Sequence, residues 1–421
     1  MFILNKKEKI LFYSVSVIIL IFFSSVFILS TFKIVNAWSY SQAYANFSDG
    51  YVRRGLFGTF MIFIEKYLNI NGRTTFSAFF IVLTTTNIII FLLLIKKYIH
   101  NYLLFIFFAL NPTLILFPFN DLGGYQRFDS ISILLILFHS LIVHNFNSGL
   151  STLKSYSTKL YYVIFPIFFF SLFIHEIQSW SLIFHLVLTL NVLKKNYKKI
   201  IFFYSLFLIP IIFIFIFPVD DRVVNNMINN LNNSNLYFDA IRFAASTKSN
   251  LSVIEYEFKT NVLNIYNFKI NLFFIIMATI PFYLFLIFLK KNSYLLENNL
   301  NLKYLLLAHF PFLTLFIIGD TGRWINLISF ISIGYLAQFP LKKKINNYDI
   351  KRIKFYNIFI YFVICIIIFV YSFFIRMPHC CDLYKKQIDI WGGISSKIIA
   401  YVKILRKDDH PDFNLDLRFK L

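Results

Sequence analysis

The chain of 421 residues is 58% hydrophobic and 20% aromatic, with a mean hydropathy of +0.68 and only 14% charged residues; a soluble domain cannot hide that much apolar surface. A formal charge of +21 on a soluble protein would point to nucleic acid. Here the lysines fall at the ends of long apolar runs, where they anchor helices and set topology, so no nucleic-acid partner is expected. The runs, as at 17–27 and 358–374, are continuous rather than alternating, which excludes a β-barrel. The reading is an all-α, polytopic transmembrane helical bundle.

The chain opens on Lys6, Lys7 and Lys9 and a long apolar stretch without a clean cleavage site, read as an uncleaved first span with the N-terminus inside. Eleven spans are placed at 11–33, 76–95, 102–118, 129–145, 160–175, 179–193, 200–217, 270–289, 304–319, 324–339 and 355–375. The stretch 160–193 is long for one crossing and short for two, and His175-Glu176 at its middle favours a tight hairpin. Alternation from an inner N-terminus then puts the lysine-rich segments inside, those with Lys96/Lys97, Lys154/Lys159, Lys194/Lys195, Lys290/Lys291 and Lys342/Lys343/Lys344 among them. Residues 1–375 read as one membrane domain with outer loops at 34–75, 119–128 and 219–268, followed by an outer tail, 376–421, that carries an amphipathic segment. Within the first loop, 56–68 reads as a helix lying in the interface. Cys365, Cys380 and Cys381 form neither a disulfide framework nor a metal motif.

Four outer segments carry the chemistry. The first loop has Asp49, Gly50, Arg53, Arg54 and Gly55; arginine forks grip phosphate or carboxylate in bidentate fashion, although arginine also anchors helices at the interface. The next has Asp121, paired glycines, Tyr125, Arg127 and Asp129, where Asp129 at a helix start also fits a cap. The third has His175, Glu176, Gln178 and Trp180 deep in an apolar run, where ionisable groups are costly and suit a base, relay or ligand role. The fourth has Asp320, Arg323 and Trp324, and the alternative for its acid and arginine is a pair with each other. His139, His144, His185 and His309 read as packing or interface residues. No HExxH, Walker A loop, Rossmann fingerprint or GxSxG occurs.

A carboxylate soon after the first span, an amphipathic segment in the same loop and further acids and arginines outside resemble the GT-C class of membrane glycosyltransferases. Size, span number and the Phe-, Ile-, Asn- and Lys-rich composition also resemble Wzy-type O-antigen or capsule repeat-unit polymerases. The resemblance implies an enzyme of the bacterial inner membrane that uses polyprenyl-diphosphate-linked oligosaccharide at the outer face. Its expected partners are membrane lipid and other glycan-assembly membrane proteins. It implies a catalytic carboxylate at Asp49 or Glu176, with His175 and Asp320 beside it. Arg53, Arg54, Arg127 and Arg323 would hold phosphate, and Asp121, Tyr125, Trp180 and Trp324 the sugar. The first loop departs from the class in lacking a DD or DxD pair, so no cofactor is expected and a divalent cation is left open. A GT-C enzyme adding a single sugar and a flippase for lipid-linked glycan are the alternatives. A flippase would call for charges through the mid-membrane and an inverted repeat, and neither is evident.

Overall fold

A computed structural model describes residues 6–32, 37–99, 102–117, 126–193, 196–231, 236–246, 302–314 and 321–339, with scattered positions between 255 and 276. The expected span at 355–375, most of that at 270–289, the tail, the three cysteines, Asp121, Tyr125 and Asp320 lie outside the described residues. Within them the regular structure is helical throughout. Three helical stretches there are long and apolar enough to cross a membrane: Gly72–Tyr98 with 27 residues, Asp129–Asn147 with 19 and Tyr197–Ile216 with 20.

Helix α1 (Lys6–Phe32) packs against α4 (Gly72–Ile95), and the loop between them holds α2 (Ala37–Gln42) and α3 (Gly55–Leu68). The expected interfacial segment is thus a helix. It buries Phe57 and Met61 against the protein and leaves Phe60, Phe63 and Tyr67 exposed. An apolar outer face of that kind suits an interface between headgroups and acyl chains. At its far end Glu65 accepts hydrogen bonds from the Tyr44 hydroxyl and the Gly72 amide, both at 2.7 Å, which clasps the loop shut where α4 begins. Gly58 permits the close approach behind this loop, since a Cβ there would lie 1.9 Å from the Ala45 carbonyl oxygen.

The expected span at 102–118 is not a continuous helix. Helix α5 (Tyr102–Ala109) is 8 residues, which reaches only about 12 Å at the helical rise. Pro112 disfavours a helical conformation at Asn111, whose side chain accepts from the Thr113 amide (2.9 Å) and hydroxyl (2.7 Å) and so diverts the chain into turns.

Helix α6 (Asp129–Asn147) is central and packs on α4, on α9 (Leu182–Val192) and on α15 (Thr321–Ala337). Between α6 and α9 run α7 (Leu153–Lys159), a π-turn (Leu160–Ile164), α8 (Phe165–Leu172) and a 3-10 helix (Glu176–Ser181). The two arms fold back on each other. Tyr156 near the start of one meets Thr189 near the end of the other at 3.4 Å, and the rings of Phe168 and His185 lie 5.5 Å apart. His175 sits at the tip of this hairpin. Helices α10 (Tyr197–Ser205) and α11 (Leu208–Ile216) give way to each other around Leu206–Phe207, just where Pro210 has no amide to offer the preceding turn. Helices α12 (Asp221–Asn229), α13 (Phe238–Ala245) and α14 (Leu302–Thr314) complete the described elements.

Two buried polar systems hold the helices in register. Lys97, read from sequence as an inner-face anchor, is buried instead; its ammonium donates to the carbonyls of Leu336 (3.2 Å), Ala337 (3.0 Å) and Phe339 (2.9 Å) at the end of α15. It supplies donors to carbonyls that a helix C-terminus leaves without intrahelical partners. His144 meets the Ala337 carbonyl at 2.9 Å, and Asn147 donates to that of Gln338 at 2.7 Å, in the same place. Deeper in the core, the Nδ1 atoms of His139 and His185 face each other at 2.9 Å, and His139 Nε2 lies 3.2 Å from the Tyr156 hydroxyl.

Candidate functional site

The end of the bundle opposite Lys97 gathers charged side chains from separate loops. Arg53 and Arg54 immediately precede α3. Arg53 is pinned to the C-terminus of α13, where its amide donates to Ala245 O (3.2 Å) and its Nη2 to Phe243 O (3.0 Å). Carbonyls at a helix end favour such a cation. The Leu56 amide, in the first turn of α3 and without an intrahelical acceptor, donates to Phe173 O at 3.3 Å. That bond ties the first loop to the hairpin tip.

At the tip, His175 caps the 3-10 helix by accepting from the Ile177 amide at 3.2 Å, and Glu176 is the first residue of that helix. Arg54 grips Glu176 in bidentate fashion: Nε donates to Oε2 at 2.7 Å and Nη2 to Oε1. Arg53 Nη1 stands 3.7 Å from the same carboxylate and His175 Nδ1 3.8 Å away. The side chains of Arg53 and Arg54 are 4% and 6% exposed, and that of Glu176 13%. Burial opposes charge on Glu176, but the two guanidiniums outweigh it and hold the carboxyl well below its usual range. Burial pulls Arg53 down to about 10, with Glu176 working the other way, which leaves it charged at neutral pH. Burial pushes the Tyr51 hydroxyl up to about 12. Gln42 accepts from Arg54 Nη1 at 3.4 Å, and the Phe243 ring lies 5.4 Å beneath the guanidinium.

A second ion pair stands beside the first. Arg323 donates through Nε to Asp129 Oδ2 (2.5 Å) and through Nη2 to Oδ1 (2.6 Å). The two systems are linked through the hairpin: Gln178 donates to Phe128 O at 3.3 Å and accepts from the Ser132 hydroxyl at 2.7 Å, while the rings of Phe128 and His175 lie 6.2 Å apart. Arg127 is buried close enough to act electrostatically on Asp129.

Of the residues singled out from sequence, Arg53, Arg54, His175 and Glu176 come together, with Asp129, Arg127 and Arg323 adjacent. Asp49 belongs to neither ion pair. It accepts from Asn230 Nδ2 at 3.0 and 3.2 Å and from the Ser48 hydroxyl at 2.7 Å, and is half-buried. Trp324 is 5% exposed and its ring lies 5.1 Å from the Arg323 guanidinium, so it supports that arginine and offers no open face to a sugar. Trp180 is half-buried and packs on Phe215 at 5.4 Å. Asp129, weighed from sequence as a helix cap, is the partner of Arg323; its position two residues after Arg127 in an acid- and glycine-rich loop was the available signal. Gln42 and Phe243 carried none.

No family model matches the chain. No curated protein or solved structure is similar enough to count as a relative.

Between the first loop and the hairpin lies an open apolar hollow of 270 Å³, lined by Phe47, Tyr51, Leu56, Phe169, Phe170, Phe173 and Phe213. Tyr51 and Leu56 flank the arginines in sequence, and Phe173 O is the acceptor that joins the loops. Guanidiniums next to an aromatic cavity fit an amphiphilic anion, its charge on the arginines and its hydrocarbon among the rings. Among the described residues, no group of three or more His, Cys, Asp or Glu side chains is placed to hold a metal ion.

Proposed function

We propose that this chain is an integral membrane glycosyltransferase of about eleven spans with a GT-C-like or Wzy-like bundle. It acts on polyprenyl-diphosphate-linked glycans at the outer face of the bacterial inner membrane, as a repeat-unit polymerase of a surface polysaccharide. The reading rests on the convergence of Arg53 and Arg54 from one loop with Glu176 from another, the same two segments that line an open aromatic hollow. A prenyl chain among Phe47, Phe169, Phe173 and Phe213 brings its diphosphate to the arginines. Of the two acids considered for the base, Asp49 is hydrogen-bonded among the described residues by neutral donors, while Glu176 is neutralised by guanidiniums. Asp49 therefore takes the acceptor hydroxyl proton as that oxygen bonds to the anomeric carbon. The bond from this carbon to the diphosphate breaks, and the departing oxygen keeps its electron pair, stabilised by Arg53 and Arg54.

The test is glycan synthesis by the full chain in lipid nanodiscs supplied with a prenyl-diphosphate-linked oligosaccharide. Wild type lengthens the glycan into a ladder, and Asp49→Asn and Arg54→Ala leave single units. Normal ladders from both variants would overturn the assignment.

A further inference from the structure

We infer that the Arg53–Arg54 pair is an anion site occupied here by the protein's own Glu176 carboxylate, and that an incoming phosphate group exchanges with that carboxylate. The inference rests on the reading above and adds how the site opens. Arg54 spends both Nε and Nη2 on Glu176, and Arg53 faces the same Oε1. A phosphate uses the guanidinium fork with the same two-point geometry as a carboxylate. Two anions cannot share that fork, so a phosphate binds Arg54 in full only when Glu176 leaves.

The local fold permits the departure. Glu176 hangs on the short segment between Leu172, the end of α8, and Leu182, the start of α9, where the chain is a turn and a single 3-10 helix. A rotation of this side chain breaks no α-helical hydrogen bond. The arginines stay behind: Arg53 is held by Phe243 O and Ala245 O, and Arg54 lies over the Phe243 ring. The apolar hollow is lined by Tyr51 and Leu56, which flank the arginines in sequence, and by Phe173, whose carbonyl joins the two loops, so an anion carrying an apolar chain is the ligand that suits both halves. Glu176 then excludes weakly held anions while the site is empty, and the ligand must contribute both charge and chain to displace it.

The full chain in nanodiscs of zwitterionic lipid is titrated with a short prenyl monophosphate and, separately, with inorganic diphosphate. Glu176→Gln is expected to bind the prenyl phosphate about tenfold more tightly than wild type, because the internal competitor is gone. The infrared difference spectrum of wild type is expected to show an ion-paired carboxylate changing its environment as the ligand binds, with that band missing in Glu176→Gln. The wild-type spectrum decides the matter even where the variant does not fold. Binding with an unmoved carboxylate band and unchanged affinity in Glu176→Gln overturns the exchange and leaves the amphiphilic-anion reading standing. Failure of the folded wild type to bind either probe overturns both. A response to inorganic diphosphate equal to that for the prenyl phosphate supports the exchange and removes the lipid from it.

Discussion

Removing one member of the Arg54–Glu176 pair strands a mostly buried charge, and losses of that kind cost about 3–5 kcal/mol. Arg54→Ala should therefore destabilise the detergent-solubilised protein by that order, while Arg54→Met with Glu176→Leu together should recover much of it. A double-mutant cycle on the unfolding midpoint reads the coupling, and simple additivity would contradict the pairing. The same carboxylate sets a pH dependence. Its pKa in the folded protein lies below its unfolded value of about 4.3. Its contribution to stability is thus complete above that unfolded value and is lost as pH falls through the lower folded one. Wild type should lose stability more steeply than Glu176→Gln on acidification below about pH 4; parallel curves would refute it.

The elements that carry these residues are positioned by close contacts remote from the charges. A Cβ at position 58 would run into the Ala45 backbone, so Gly58→Ala forces α3 away from the loop behind it. Overpacking of this kind costs about 1–3 kcal/mol, and here it also shifts the segment that begins with Arg53 and Arg54. The expected result is a lowered unfolding midpoint together with weakened prenyl phosphate binding. At the other end of the bundle, Lys97→Met orphans carbonyls at the end of α15, at about 1–3 kcal/mol for each buried group left unpaired. It should lower stability and leave phosphate binding by the folded fraction unchanged, since Lys97 makes no contact with the ion pairs. A normal midpoint in this variant would argue that the lysine serves only as an interfacial anchor.

For the molecule as a whole, the hairpin of α7–α8 and α9 decides the topology. Its tip meets the first loop through Arg54–Glu176, and its base meets the Lys97 end through Asn191 Nδ2 and the Gln338 side chain at 3.0 Å. Cysteines introduced at Ser48 and Ser179 should thus react with an impermeant thiol reagent from one side of the membrane. Cysteines at Ser148 and Leu150, both exposed, should react only from the other. Labelling of all four from the same side would break the arrangement. The gathering of acids and arginines at a common end was legible because each expected span reverses the chain, so alternate loops share a face. The partners within that gathering were not. Arg323 was weighed against its neighbour Asp320, which lies outside the described residues; that its fork reaches Asp129, 194 positions away in the chain, was not written in either loop.

Composition and the placement of lysines were enough to determine an apolar helical protein, because hydrocarbon demands internally satisfied backbone and helices meet that demand locally. The amphipathic segment after Gly55 and the break at His175-Glu176 were equally local, each written in a few consecutive residues. Only the tertiary structure decided that Glu176 answers Arg54, that Trp324 lies beneath Arg323, that Lys97 caps α15 and that the apolar run after Tyr102 is not one continuous helix. Ion pairs, caps and ring contacts depend on which helix faces come to lie together, and a linear pattern of apolar and polar residues carries no record of that distance.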